Sequence, residues 1–234
     1  MDHDRDPALG RALVSVGRSG IRQFVTVTLK VLTRGGESNM ASARDVAAYL
    51  LQRRLPAFEA VRLQKLLYYM QAWHLALMDS ALFNDPITAN KYGPVVGNVL
   101  RQHIGNRVVR KTDDIGGDAD ALTDTERQVV DAVYDAYKRL KTFEIADLSH
   151  EEQPWKDAYY AHDGNRLITH DAMREYYAAE VVRPQTERTT PQIPRVPDAK
   201  VTYLTADEMQ QLQDTMDEPD PFGGLLAALQ SKRK

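Results

Sequence analysis

The sequence predicts a mainly α protein. The expected architecture is a compact single helical domain with a short extended or hairpin element, an N-terminal strand-like extension and a proline-linked C-terminal tail. Three observations carry that expectation. Ser42-Ala43-Arg44-Asp45 and Thr123-Asp124-Thr125-Glu126 each set a side-chain oxygen three residues before a carboxylate, which is a helix-start pattern. Leu63, Leu66, Leu67, Met70, Trp73 and Leu77 recur every three or four residues, as one face of a helix does. After Val182 the composition shifts, and Pro184, Pro191, Pro194 and Pro197 stand among polar residues.

Residues 1–39 read as an extension. Val25, Val27, Leu29 and Val31 alternate with Thr26, Thr28 and Lys30, so 23–31 is expected as a strand with one apolar face. A lone strand is not stable, so it must pair, pack on the domain or meet another chain. The alternative is that the functional chain starts at Met40 and the upstream part has little consequence. Residues 34–39 are expected as a loop.

Residues 40–182 read as the domain. A first helix follows Ser42 and ends before Pro56, with Val46, Ala47, Leu50 and Leu51 inward. A second runs from about Phe58 to Met78. Phe83, Ile87 and Ala89 alternate around Asn84, Asp85 and Pro86, which suggests a short extended stretch or hairpin arm. Gly93-Pro94 is expected to open a third helix, because proline suits a first turn. Its apolar face would be Val95, Val96, Val99, Leu100 and Ile104. A helix from Thr123 through Leu140 turns Val129, Val130, Val133 and Tyr137 inward. Short helices follow from Thr142 or Phe143 to Ser149 and from Pro154-Trp155 to about Gly164. Leu167-Ile168 reads as a brief strand, and Thr169 caps a last helix with Met173, Tyr176 and Tyr177.

Residues 183–234 read as a semi-rigid proline-rich linker and a tail with short amphipathic helices. Thr205-Ala206-Asp207-Glu208 is another capping box, followed by Met209, Leu212 and Met216.

Composition narrows the function. The 234 residues include no cysteine, which removes disulfides, thiolate nucleophiles and cysteine zinc sites and fits a cytoplasmic protein. A net charge of -3 argues against nucleic acid as the main partner. No uncharged apolar run is long enough to span a bilayer, and the acidic start is wrong for a signal peptide.

His150-Glu151-Glu152 invites a metal or acid–base reading. A zinc-protease helix needs a second His four residues on, and that position is Pro154. No phosphate-binding glycine loop and no Gly-x-Ser-x-Gly elbow occur. The expectation is therefore no enzyme, no cofactor and no metal. Arg101, His103, Arg107, Arg110 and Lys111 form a basic cluster, read first as a solvated face. Tyr68 and Tyr69 are adjacent, so one of them is expected at the surface, with Gln64, Lys65 and Gln71 near its rim.

The motifs, taken together, resemble a known family. They are Lys65-Leu66-Leu67-Tyr68-Tyr69, Gln71-Ala72-Trp73, Tyr92-Gly93-Pro94-Val95, Ser149-His150-Glu151 with Pro154-Trp155, and Ile168 with Met173 and Tyr176-Tyr177. In order and spacing they are similar to the Panacea domain, which includes the SocA-type antitoxins. The resemblance covers roughly 40–182. Asn90 departs from it, since members often carry Trp before the Tyr-Gly-Pro turn. The resemblance implies an antitoxin of a toxin–antitoxin pair, with a role in phage defence, that neutralises a cognate protein toxin by direct binding. The alternatives it leaves are an adaptor delivering a toxin to a protease and a DNA-binding autoregulator. Partner-binding candidates are Lys65, Tyr68, Tyr69, Asn90, Tyr92, Met209, Leu212, Met216 and Phe222. Trp73, Gly93, Pro94, His150, Pro154 and Trp155 are read as structural.

Overall fold

Strands Ala12–Ser19 (β1) and Arg22–Leu29 (β2) pair antiparallel, with Val16 opposite Val25. The computed structural model describes these two strands, residues 40–183, 185–188 and 190–193, residues 196 and 199, and residues 201–203. The expected strand at 23–31 thus falls on β2, and it has a partner on each side. The second partner is Val201–Tyr203, which becomes β8 below. The loop expected at 34–39 and the tail helix of Met209, Leu212 and Met216 lie outside the described residues, as does Phe222.

Chain contacts divide the protein into a unit of residues 1–38 with 200–234 and a unit of 39–199. The second unit opens with helix α1, Ala43–Arg53. The Ser42 hydroxyl accepts from Asp45 N, and the Asp45 carboxylate accepts from Ser42 N, closing the capping box seen in the sequence. Ser42→Ala removes that acceptor and should cost about 1 kcal/mol in urea unfolding. An unchanged midpoint would show that the cap contributes nothing.

A short strand β3, Ala57–Glu59, follows. Helix α2, Ala60–Met78, comes next and ends at Asp79 in a left-handed conformation. Every residue of α2 from Leu63 to Ala76 is buried. The sequence reading gave this helix one inward stripe. Other helices and the strand Gly93–Val96 cover it on several sides instead, so an all-round buried helix occupies the centre of the unit. Phe58, expected to open the helix, belongs to β3 and is buried there.

Strands Ile87–Asn90 (β4) and Gly93–Val96 (β5) form a hairpin. This corrects the expected third helix: Gly93-Pro94 sits in a strand, and helix α3 is only Gly97–Leu100, followed by a 3-10 turn, Arg101–His103. Pro94 stands opposite Ala89, whose N–H turns away to Arg166 O at 2.7 Å. No ladder bond is lost at that pair, so the edge strand tolerates proline. Leu100 and Ile104 are exposed rather than inward.

Strand β6, Val108–Arg110, pairs with β3. Helix α4, Asp124–Tyr137, begins on the Thr123–Glu126 capping box. Helices α5, Thr142–Glu151, and α6, Gln153–Tyr159, join at Glu152. Strand β7, Leu167–Ile168, adds to β4, giving a sheet of order β5-β4-β7. Helix α7, His170–Val182, is capped by Thr169 and packs on α2. Among the described residues, seven α-helices and small sheets bear out a mainly α fold.

The stretch after α7 was expected to stay unpacked. In fact Thr190 and Val196 are buried, and the Thr190 hydroxyl donates to Glu180 at 3.0 Å. Apolar residues between prolines can pack in extended form, and composition alone does not reveal it. Strand β8, Val201–Tyr203, pairs with β2 to give the order β1-β2-β8. No helix among the described residues is long and apolar enough to cross a membrane.

Candidate functional site

Helix α2 carries a band of polar groups into the interior. Gln64 Oε1 accepts from Val96 N at 2.8 Å, and its amide nitrogen meets His103 Nε2 at 3.2 Å. Gln71 Oε1 accepts from Leu82 N and Phe83 N, fixing the loop before β4. These two side chains, expected at a solvated rim, are buried structural ties. His103 of the supposed basic surface cluster is buried with Gln64 as well.

Glu152 sits at the α5–α6 junction with no exposure at all. Its Oε2 accepts from the Tyr68 hydroxyl at 2.7 Å and from the Tyr177 hydroxyl at 2.8 Å. Burial pushes the carboxyl up to about 7, against the opposing pull of the Tyr68, Tyr177 and Tyr69 hydroxyls. Tyr69 Oη is near enough to bias Glu152, yet it makes no ordinary hydrogen bond, and neither does Glu152 Oε1. Around them Tyr69 and Tyr137 stack at 4.2 Å, and Trp73 Nε1 donates to Tyr137 Oη at 3.1 Å. Burial holds Tyr68, Tyr69, Tyr137 and Tyr177 well above the usual phenol range, so they remain donors.

The expectation that Tyr68 or Tyr69 faces solvent is therefore corrected. Both are fully buried, because α4, α5 and α7 all pack on α2, and Tyr69 lies between Tyr137 of α4 and Tyr177 of α7. Lys65 is also buried. Its Nζ donates to Pro94 O at 3.0 Å, and burial lowers the ammonium to about 7. These three residues lie under the surface and present nothing to a partner.

The band fastens the hairpin tip from below. Trp155 Nε1 donates to Asn90 O at 3.1 Å. The His150 ring packs edge-on to Trp155 at 4.5 Å. Lys65 holds Pro94. Gly93, at φ +89°, closes the turn where a side chain would meet Lys65 and Ser149. Gly93, Pro94, His150 and Trp155 thus sit in or directly under this frame, Pro154 starts α6, and Trp73 packs farther along α2 against Tyr137 and Tyr177.

What the frame lifts into solvent is aromatic. Tyr92 is 69% exposed at the tip, with Lys91 over its ring. The Trp155 ring stacks on Tyr159 at 4.6 Å, and Tyr160 beside it is 68% exposed. Arg166 lies over Tyr159 at 4.3 Å. Asn90 is exposed, its side chain bonded to Thr88. Tyrosines with a fixed base and cations on their faces are the side chains that anchor protein interfaces. Of the predicted partner residues, Asn90 and Tyr92 lie here. Tyr159, Tyr160 and Arg166 went unnoticed, since no motif marks them. Glu152 was in plain view beside His150, but a buried carboxylate needs partners from distant helices, and those are invisible locally.

Residues 63–156 match the family model described as antitoxin SocA-like, Panacea domain. The resemblance read from the motifs is that family. The matched stretch runs from the first buried residue of α2 to just past Trp155, so it contains the polar residues of α2, Glu152 and the hairpin. The matched segment ends before Tyr159, Tyr160, Arg166 and Tyr177. No curated protein and no solved structure matches the chain.

Proposed function

We propose that this protein is an antitoxin that silences a cognate protein toxin by binding it directly. The observation that carries the reading is the Panacea match over residues 63–156, which hold the polar side chains of α2, Glu152 and the hairpin tip. The perturbed ionisable groups, Glu152 and Lys65, support it in a second way. Perturbed groups in a cleft suggest catalysis, but these are sealed inside the unit and bonded to its own side chains and backbone. They hold a surface in shape. The surface they hold offers Tyr92, Tyr159 and Tyr160 as anchors, with Asn90 at the edge. A stable complex through it would bury on the order of 1,600 Å².

Co-expression with the neighbouring gene tests the reading. Growth arrest by that gene alone, relieved by this protein, is the expected result. A harmless neighbour, or arrest that persists beside this protein, refutes it. Within a working pair, Tyr92→Ala should weaken the complex about tenfold to a hundredfold by calorimetry, the loss of one aromatic anchor. Unchanged affinity would move the interface elsewhere. Toxin half-life measured in the same cells separates occlusion, which leaves it unchanged, from delivery to a protease.

A further inference from the structure

A second surface is shaped for binding, formed where β3 and the start of α2 meet the corner between α4 and α5. It is an open groove of ≈ 560 Å³. Leu55, Leu140 and Phe143 line it, and Phe143 stands 81% exposed and Leu55 41%. An exposed phenylalanine beside an exposed leucine in a concavity marks a binding surface more than a random apolar residue does.

Its charge is one-sided. Arg62, Lys138, Arg139 and Lys141 line the groove, against the single carboxylate of Glu59. Arg62 spends its guanidinium on the carbonyls of Tyr137, Lys138 and Leu140, which ends α4 and pins the corner. Lys138 pairs with Asp135 at 2.9 Å. Arg139 and Lys141 make no salt bridge among the described residues. The groove therefore combines apolar side chains with an excess of positive charge on its rim, the Glu144 carboxylate being held by Lys141 N at 2.7 Å.

We infer that this groove binds an acidic peptide segment of a partner protein, with large apolar side chains seated against Phe143 and Leu55 and carboxylates on Arg139 and Lys141. The apolar floor favours a peptide over a nucleic acid, whose phosphates would use the cations and leave Phe143 uncovered. The surface is independent of the hairpin tip, and the inference stands whether or not the partner is a toxin.

The test is fluorescence anisotropy on the full chain, with a labelled Glu-rich peptide carrying leucines at helical spacing. Binding should weaken steeply with added salt. It should fall about tenfold or more with Arg139→Glu and Lys141→Glu together, and about tenfold with Phe143→Ala. Tyr92→Ala should leave it unchanged. All of these positions are exposed, so thermal unfolding should match the parent and exclude misfolding. Equal binding of a Gln-substituted peptide, no binding at all, or preferential binding of a single-stranded oligonucleotide would each overturn the inference. So would binding seen only after Asp207→Asn, Glu208→Gln, Asp214→Asn, Asp217→Asn, Glu218→Gln and Asp220→Asn. That result would assign the groove to the chain's own acidic tail.

Discussion

Glu152→Ala should destabilise the protein by about 3–5 kcal/mol, read from the urea midpoint. The change leaves the Tyr68 and Tyr177 hydroxyls, both fully buried, without their acceptor. Each orphaned donor costs about 1–3 kcal/mol, and the vacated volume adds a cavity. Glu152→Gln keeps an oxygen in place and should lose much less. Equal losses for the two variants would mean that bulk, not the hydrogen bonds, is what Glu152 supplies.

The parent and Glu152→Gln together test the ionisation of Glu152. Its folded carboxyl titrates at about 7 rather than 4.5. Between those values the folded state holds a proton that the unfolded chain has released. This group's stability is therefore full below about pH 4.5 and is lost as pH rises to about 7, a total on the order of 3 kcal/mol. Lys65 acts in the opposite sense at higher pH. Its folded ammonium titrates at about 7 rather than 10.5, so its contribution grows as pH rises between them. Burial also holds His103, His150 and His170 below the usual imidazole range, so they add their own pH dependence. The informative quantity is thus the difference between parent and variant profiles. Subtracting Glu152→Gln should reveal a contribution falling from about pH 4.5 to about 7, and subtracting Lys65→Met one rising above about 7. A flat difference for Glu152→Gln would show that the carboxyl is not raised.

These residues mark how much the sequence discloses. The capping boxes at Ser42 and Thr123 were legible because a cap is local, formed within four residues. The hairpin arm at Ile87 and Ala89 was legible for the same reason. Gly93-Pro94 was misread because proline suits a helix start and an edge strand equally. The choice between them was made by Lys65 and the bond it gives to Pro94, 29 residues away in sequence. Tyr68 and Tyr69 were misread because adjacency on a helix forces one side chain outward only if one side is wet. Here α4, α5 and α7 all pack on α2, and neither position is wet. The motif positions themselves were legible, and their roles were not: Lys65 reads as a surface cation until its partners are known. Of the candidate surface, Tyr92 was found through its motif, whereas Tyr160 and Phe143 carry no local signal beyond being aromatic.

Gly93→Ala should cost about 3 kcal/mol or more and take partner binding with it. Two causes add. The residue sits at φ +89°, where a Cβ is strained by about 1–2 kcal/mol. That Cβ would also lie 2.7 Å from Lys65 Cε, Lys65 Nζ and Ser149 Oγ. Neither side chain can retreat easily, since Lys65 is buried and held by Pro94 O, and the buried Ser149 donates to Ala146 O at 2.7 Å. Overpacking of such a site costs about 1–3 kcal/mol. The two causes separate in a background of Lys65→Ala with Ser149→Ala, where the space is open. There Gly93→Ala should cost only the backbone strain, and the difference is the coupling energy. The same penalty in both backgrounds would refute the packing argument. Near-wild-type stability in the single variant would refute the whole frame, because the turn that presents Tyr92 depends on Gly93 lying against that buried lysine.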